Sequence, residues 1–358
     1  MPVIVTVPRL PIERVLAAHP DYPSEAIGRS REGRPLEAAA FGSGPLTVSL
    51  IAGCHADEPV GPAMLDRLAG WLATRPPDDH LLTGATWLLV PHANPDGDAR
   101  NAAWSRHVTD TLDHLGEPDA AYRLADYARH VVREAPGDDM EFGFPRSAAD
   151  TDARPENRAI ADFLRRRAPL DLHGSLHGMA FAPGPWFLIE REWIDRTAAL
   201  RDNLRRRVAA MGYELLDWDR RGDKGFERID EGFSTRPDSG AMIEHFRRLD
   251  DEATAALFRP SSMELARSLG GDPFTFVSEM PLFLHPRPRV LAEDREAFRR
   301  WLTDLAAETD PTRADELAAG EGIRPMPIRD QMRLQLAFVQ EAIDAVAAAA
   351  EISPRDPA

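Results

Sequence analysis

The chain has 358 residues, 43% hydrophobic and 28% charged, which suits one large α/β domain and argues against a disordered chain. Its net charge of -16 speaks against nucleic acid or an anionic membrane as a partner. No run of about 18 apolar residues exists to span a bilayer, and the single cysteine, Cys54, excludes an intrachain disulfide and a cysteine-only metal cage.

In chain order, the N-terminal Met1 to Arg9 lacks a basic region and a small-residue cleavage site, so a cytoplasmic location is expected. Pro11 to Ala18 reads as a short helix. "EAIGRSREGRPLEAAAFGSGPLTVSLIAG" then gives three extended runs broken by Gly, Ser and Pro, a hairpin feeding a central strand. Val60 to Leu72 is amphipathic, and "ATWLLVPHANPDG" is a buried strand ending in a turn. Tyr122 to Arg133 and Pro155 to Arg167 read as helices, the second opening on proline. "APLDLHG" is a short strand, followed by "WFLIE". Ile194 to Met211 and Glu293 to Ala307 are helical, "FTFVSE" is a late strand, and Pro327 to Glu351 is a closing helix. The alternation predicts a single α/β domain over 1–358, with a mixed, mostly parallel sheet covered by helices on both faces. In such sheets the working residues gather beyond the carboxyl ends of the strands.

Several metal- or proton-active residues fall at such ends: His55 and Glu58 after one strand, His173 at another, Glu279 at a third. A catalytic zinc takes three protein ligands and leaves one position open. His55 and Glu58, at i and i+3, can converge from one turn, and His173 in "DLHG" is the best third ligand. Glu279 is then the candidate base and Arg100 the fixed positive charge for a developing oxyanion. Each residue has a plainer reading as a strand-end, capping or ion-paired side chain. Cys54 reads as a small buried apolar residue. His92 reads as a structural hydrogen-bonding residue and His177 as lining a cleft at best.

As an ordered set, these segments resemble the zinc metallocarboxypeptidases of the funnelin type. "IGRSREGRPLEAAAFGSG" is similar to that family's opening hairpin, "AGCHADEPVG" to its H-x-x-E metal motif, and "NPDG" with "RNA" to a signature turn and the run after it. "GDDMEFGFP" aligns with G-V-D-L-N-R-N-F-P, "RPENRAIADFL" with a Pro-Glu helix, "LDLHG" with the third-ligand strand and "FTFVSE" with the catalytic glutamate strand. The match runs over about residues 25–285. The resemblance implies one zinc ion held by His55, Glu58 and His173. Glu279 would be general base and then proton donor, Arg100 would polarise the scissile carbonyl, Asn101 would bind substrate, and Asp139 would orient His55. The implied reaction is hydrolysis of an amide by metal-activated water.

The departures bear on the substrate. The family's Asn-Arg pair, which grips a terminal carboxylate, is here Glu141 and Phe142. Either another arginine (Arg146, Arg154 or Arg236) reaches the pocket, or the substrate lacks a free carboxylate there, and Glu141 and Phe142 would then meet a cationic and an apolar group. "PDSGAMIEHF" resembles the family's specificity-pocket strand, which would put Glu244 at the pocket base or leave it on the surface. Ser105 to Pro136 is an insertion that either roofs the cleft or elaborates the surface. The expected activity is zinc-dependent hydrolysis of a small peptide or amino-acid conjugate. The alternatives are a deacylase of the aspartoacylase and succinylglutamate desuccinylase type, and a metal- or ligand-binding protein without catalysis.

Overall fold

The computed structural model describes residues 7–19, 21–111, 120–286 and 295–352. Strands β1 (Glu25–Arg29), β2 (Pro35–Phe41), β3 (Leu46–Ala52), β4 (Ala85–Val90), β5 (Leu172–Ala182), β6 (Trp186–Ile189), β7 (Arg228–Asp230), β8 (Phe233–Thr235), β9 (Phe274–Leu284) and β10 (Arg324–Pro325) form one sheet. Their order is β1-β2-β4-β3-β5-β9-β6-β8-β7, with β10 also on β9. The centre, β4-β3-β5-β9, is parallel, and the hairpin β1-β2 joins it antiparallel through β4. A parallel centre has to be covered on both sides, and it is.

Alternation along β3 shows how. Val48, Leu50 and Ala52 join the core under the helices Val60–Ala73 and Ile328–Ile352, whereas Ile51 points into a second cluster with Ile160 and Phe163 of the helix Pro155–Arg165. The expected α/β layering is therefore present. Among the described residues no helix is long and apolar enough to cross a membrane.

Four local expectations change. "NPDG" is the start of the helix Pro95–Thr111 rather than a turn: Asn94 Oδ1 accepts the Gly97 N–H at 3.1 Å, and Pro95 takes the first helical position. "PDSGAMIEHF" holds a helix, Ser239–Arg247, capped by Asp238, and no strand. The helix expected over Tyr122 to Arg133 spans only Leu124–His130, so Arg133 lies beyond its end. Strands β5 and β9 each run 11 residues, well past His173 and Glu279. Of the Ser105 to Pro136 insertion, 112–119 lies outside the described residues. The remainder is anchored by aromatic contacts: Trp104 meets Tyr122 and Tyr127 edge-on at 5.3 and 5.0 Å, and Tyr127 meets Phe283 of β9 at 5.5 Å.

The hairpin turn and the "NPDG" segment lock together. Asp96 accepts from Ser30 Oγ at 2.6 Å, from the Glu32 N–H at 3.0 Å and from Arg34 at 2.8 Å. Gly97 lets this helix close on the segment that follows β3, because a Cβ there would stand 2.4 Å from Ala56 Cβ. Gly97→Ala is expected to destabilise the fold by about 1–3 kcal/mol through overpacking. Thermal unfolding of the metal-free protein measures this, and an unchanged midpoint would show that the contact is not tight.

Candidate active site

The site forms where one strand stops and its neighbours continue. β3 pairs with β5 up to Ala52↔Leu176, and β5 runs on beside β9, where His177 lies opposite Glu279. His177 is thus the first β5 residue past the carboxyl end of β3. The chain leaving β3 turns at His55, whose carbonyl accepts the Glu58 N–H at 3.2 Å, and this puts the two side chains on one side of the turn. His55 Nδ1 lies 3.0 Å from Glu58 Oε1. His177 Nδ1 lies 2.9 Å from Glu58 Oε2 and 3.2 Å from His55 Nδ1. The Gly178 N–H donates to Glu58 Oε2 at 3.0 Å.

The outer nitrogens are also engaged. His55 Nε2 is 3.2 Å from the Asp139 carboxylate, the place expected for Asp139. His177 Nε2 is 3.1 Å from Glu141 Oε2 and 2.8 Å from Ser175 Oγ. The segment carrying both acids is pinned by the helix Pro155–Arg165 and the residue before it: Asn157 donates to the Met140 carbonyl at 2.9 Å, and Arg154 donates to the Asp138 carbonyl.

Two donor triads result, each with its atoms within 4.8 Å of one another: His55, Glu58 and His177, and Cys54, Glu141 and His177. His173 belongs to neither. It pairs with Ser49 inside the sheet, its Nδ1 3.0 Å from Ser49 Oγ, and β3 covers that position on one side as β9 does on the other. Burial, with Arg236 adding to it, pushes the His173 imidazole down to about 3.

Other expected residues also move. Arg100 is half-exposed at the rim, paired to Glu32 at 2.6 Å and Glu134 at 3.1 Å. The arginine that reaches the triad is Arg133, 3.2 Å from Asp57 and 3.7 Å from Glu58. Asn101 is buried and uses its amide on the backbone: it donates to the Gly97 and Val132 carbonyls and accepts the Val132 N–H at 2.9 Å. That clamp holds the residue before Arg133. Glu141 meets His177 Nε2 through its carboxylate. Phe142 meets Phe258 edge-on at 5.5 Å, and Phe258 stacks on Phe246. Glu244 is exposed on the helix Ser239–Arg247. Of the arginines considered for a carboxylate, Arg146 donates to the Phe258 carbonyl, Arg154 pairs with Glu156 and Arg236 pairs with Glu190 at 2.7 Å. His92 makes the structural bond expected of it, 3.0 Å from Asp66.

The charges are mutually dependent. Burial opposes an imidazolium at His177, but Glu141 and Glu58 outweigh it and raise the ring to about 10. Burial opposes charge at His55 too, and Glu58 and Asp139 again prevail, lifting it well above the usual value. Glu58 is driven the other way: burial would raise it, yet His55 and His177 hold it well below the usual carboxylate range. Glu279 is pushed up to about 8 by burial and then by Glu58, against the pull of His177, His55 and Arg133. Burial raises the Cys54 thiol well above its ordinary value, which keeps it protonated. The cluster therefore attracts positive charge strongly.

A zinc ion fits this donor set. Ligand atoms about 2.0–2.1 Å from a tetrahedral zinc stand about 3.3 Å apart. The two Nδ1 atoms are 3.2 Å apart, with carboxylate oxygens at 3.0 and 2.9 Å.

Residues 12–182 match the model of the zinc carboxypeptidase family. A hydrolytic metalloenzyme is the class that this match defines. Just under half of the chain is thus similar to the zinc carboxypeptidase family. A comparison with curated proteins finds no match. Among solved structures the chain is similar to bovine thrombin-activatable fibrinolysis inhibitor in complex with tick carboxypeptidase inhibitor, at 15% identity over 94% of this chain and 95% of that one, with a TM-score of 0.47. It is similar to a metallo-carboxypeptidase from Burkholderia cenocepacia at 16% identity, over 94% and 67% of the two chains, with a TM-score of 0.44. A third is a Pseudomonas aeruginosa metallo-carboxypeptidase in complex with (2-guanidinoethylmercapto)succinic acid, at 19% identity, 92% and 68% coverage and a TM-score of 0.39.

The neutral, buried His173 has a consequence for acid stability. Its folded value of about 3 lies below that of an unfolded histidine, so the unfolded chain takes up the proton first. The stability that His173 contributes is complete above about pH 6.5 and is lost toward pH 3, at up to about 1.4 kcal/mol per pH unit. Denaturant titrations of His173→Asn and the unaltered protein should therefore converge as pH falls through this window. Parallel curves would show that His173 is not held neutral.

Proposed function

We propose that the chain is a zinc-dependent amide hydrolase whose ion is held by His55 Nδ1, the Glu58 carboxylate and His177 Nδ1. The observation that carries this reading is the convergence of those donors beside a carboxyl, Glu279, that can hold a proton near neutral pH. A zinc ion there would supply Lewis-acid polarisation of a carbonyl and of a water. Glu279 takes the proton from the attacking water and returns it to the departing amine, work suited to a carboxyl that burial raises above the usual carboxylate range. Arg133 stays charged, because Glu58 and Asp57 outweigh its burial, and it presents a guanidinium to the oxygen that becomes negative.

The substrate is read from residues that are already committed. Glu141 is occupied by His177, Phe142 packs on Phe258, and Arg146, Arg154 and Arg236 have partners. We therefore assign a small peptide or amino-acid conjugate without a free carboxylate at the position that the family's Asn-Arg pair would grip. The reading is tested by screening the zinc-loaded protein on matched amides bearing free, amidated and amine-containing C-termini, with N-acyl amino acids alongside. Preference for ordinary free-carboxylate peptides would overturn the substrate assignment.

Two substitutions test the roles. Glu279→Gln should lower kcat about 10²–10⁴-fold while bound zinc, measured by atomic absorption, stays at the level of the unaltered protein. Arg133→Ala should cost about 10²–10³-fold in kcat, and Arg100→Ala far less. Equal losses at the two arginines would return the oxyanion role to open choice.

A further inference from the structure

We propose that Glu141 is a positioning residue: it fixes the ring of His177 through Nε2, so that a single turn of chain supports both histidine ligands. This rests on the reading of His177 as a ligand.

The geometry gives three reasons. First, an imidazole that offers Nδ1 to an ion must carry its proton on Nε2, and that proton needs an acceptor. At His177 the acceptors are Glu141 Oε2 at 3.1 Å and Ser175 Oγ at 2.8 Å. Second, the arrangement repeats the one at His55, whose Nε2 meets Asp139 at 3.2 Å. The two acids lie two residues apart, and the Glu141 N–H donates to Asp139 Oδ1 at 2.7 Å, so the Asp139 carboxylate is tied to the backbone that carries Glu141. Third, Glu141 is only 7% exposed, and a buried carboxylate needs a partner. His177 is that partner. A carboxylate on a ligand's outer nitrogen makes the ligand more basic and fixes its tautomer, which tightens metal binding.

One competing arrangement uses the same atoms. Cys54, Glu141 and His177 could ligate an ion of their own, with His177 bridging two ions through its two nitrogens. Bridging would require His177 to lose the Nε2 proton that two acceptors now hold, and the Cys54 thiolate would have to form at a site with 1% exposure. We therefore assign one ion and a supporting Glu141.

The experiment is zinc binding to the metal-free full chain by competition with a chromophoric chelator, together with the visible spectrum of the cobalt-loaded protein. Glu141→Gln keeps an acceptor oxygen and removes the charge, and Glu141→Leu removes both. The unaltered protein should bind one zinc. The Kd should rise about 10-fold for Gln and toward 100-fold for Leu, with Glu141→Asp recovering part of the loss and the cobalt band shifting in the same order. Phe142→Ala, next in the chain, should leave zinc affinity unchanged. If all the Glu141 variants bind as tightly as the unaltered protein, Glu141 positions nothing and the inference falls, while the ligand assignment stands. Two zinc ions in the unaltered protein, falling to one in both Cys54→Ser and Glu141→Leu, would make Glu141 a ligand and also overturn it. No zinc binding by the unaltered protein would sink the ligand reading itself.

Discussion

The site depends on a difference in strand length. β3 ends at Ala52, level with Leu176, while β5 and β9 keep pairing through Ala182↔Leu284. One residue beyond that end, β5 has a neighbour on only one side, and the vacated lane is filled by the turn that carries His55 and Glu58. A histidine one register step earlier would be walled in by β3. The same step sets His177 against Glu279, since paired residues on adjacent strands share a face of the sheet. Donors and proton carrier are thus brought together by backbone hydrogen bonding before any side chain chooses a rotamer. The Gly178 N–H on Glu58 extends that backbone control to the carboxylate.

Charge explains why such a cluster can persist inside a protein. Glu58, Asp139 and Glu141 surround two imidazoles, and Glu58 also meets Arg133. Buried carboxylates without compensation are costly. Here the compensation is graded. Glu58 is held ionised between the rings, whereas Glu279, next to the same Glu58, keeps its proton until about pH 8. Two carboxylates a strand apart are driven in opposite directions, and that difference separates a group fit to bind a cation from one fit to carry a proton.

How much of this was legible in the sequence follows from the range of each signal. His55 and Glu58 are a local signal, three residues apart at a strand end, and the structure brings them together. The α/β layering was legible from periodicity in the same way. With "DLHG" read as a strand end, His173 is the expected third ligand, and His177, four residues on, shares no helical face with it. In a strand, residues an even number apart share a face, so the spacing could not separate the two histidines. Only the end of β3, some 120 residues away in the chain, does so. Arg133 had no signal of its own. The helix expected to reach Arg133 stops three residues short of it, and Arg133 is placed by a tertiary clamp from Asn101, a residue expected to bind substrate. Glu141 was compared with a position that grips carboxylates, and its actual partner depends on how the turn after Gly137 folds back over β5.

The peripheral polar network gives those long-range placements a common frame. Asp96 holds the hairpin turn at Ser30 and Arg34, and Arg100 joins that turn, through Glu32, to Glu134. Glu134 is also bonded by Asn94 at 2.6 Å and adjoins Arg154, which holds the backbone at Asp138. The residue before Glu134 is Arg133, and the residue after Asp138 is Asp139. One belt of ion pairs, individually weak where it is exposed, therefore fixes the arginine on one side of the triad and the supporting carboxylates on the other. Arg100 is a member of this belt. A sequence motif can be read as catalytic when its physical task is to hold the catalytic segments at their distance from one another.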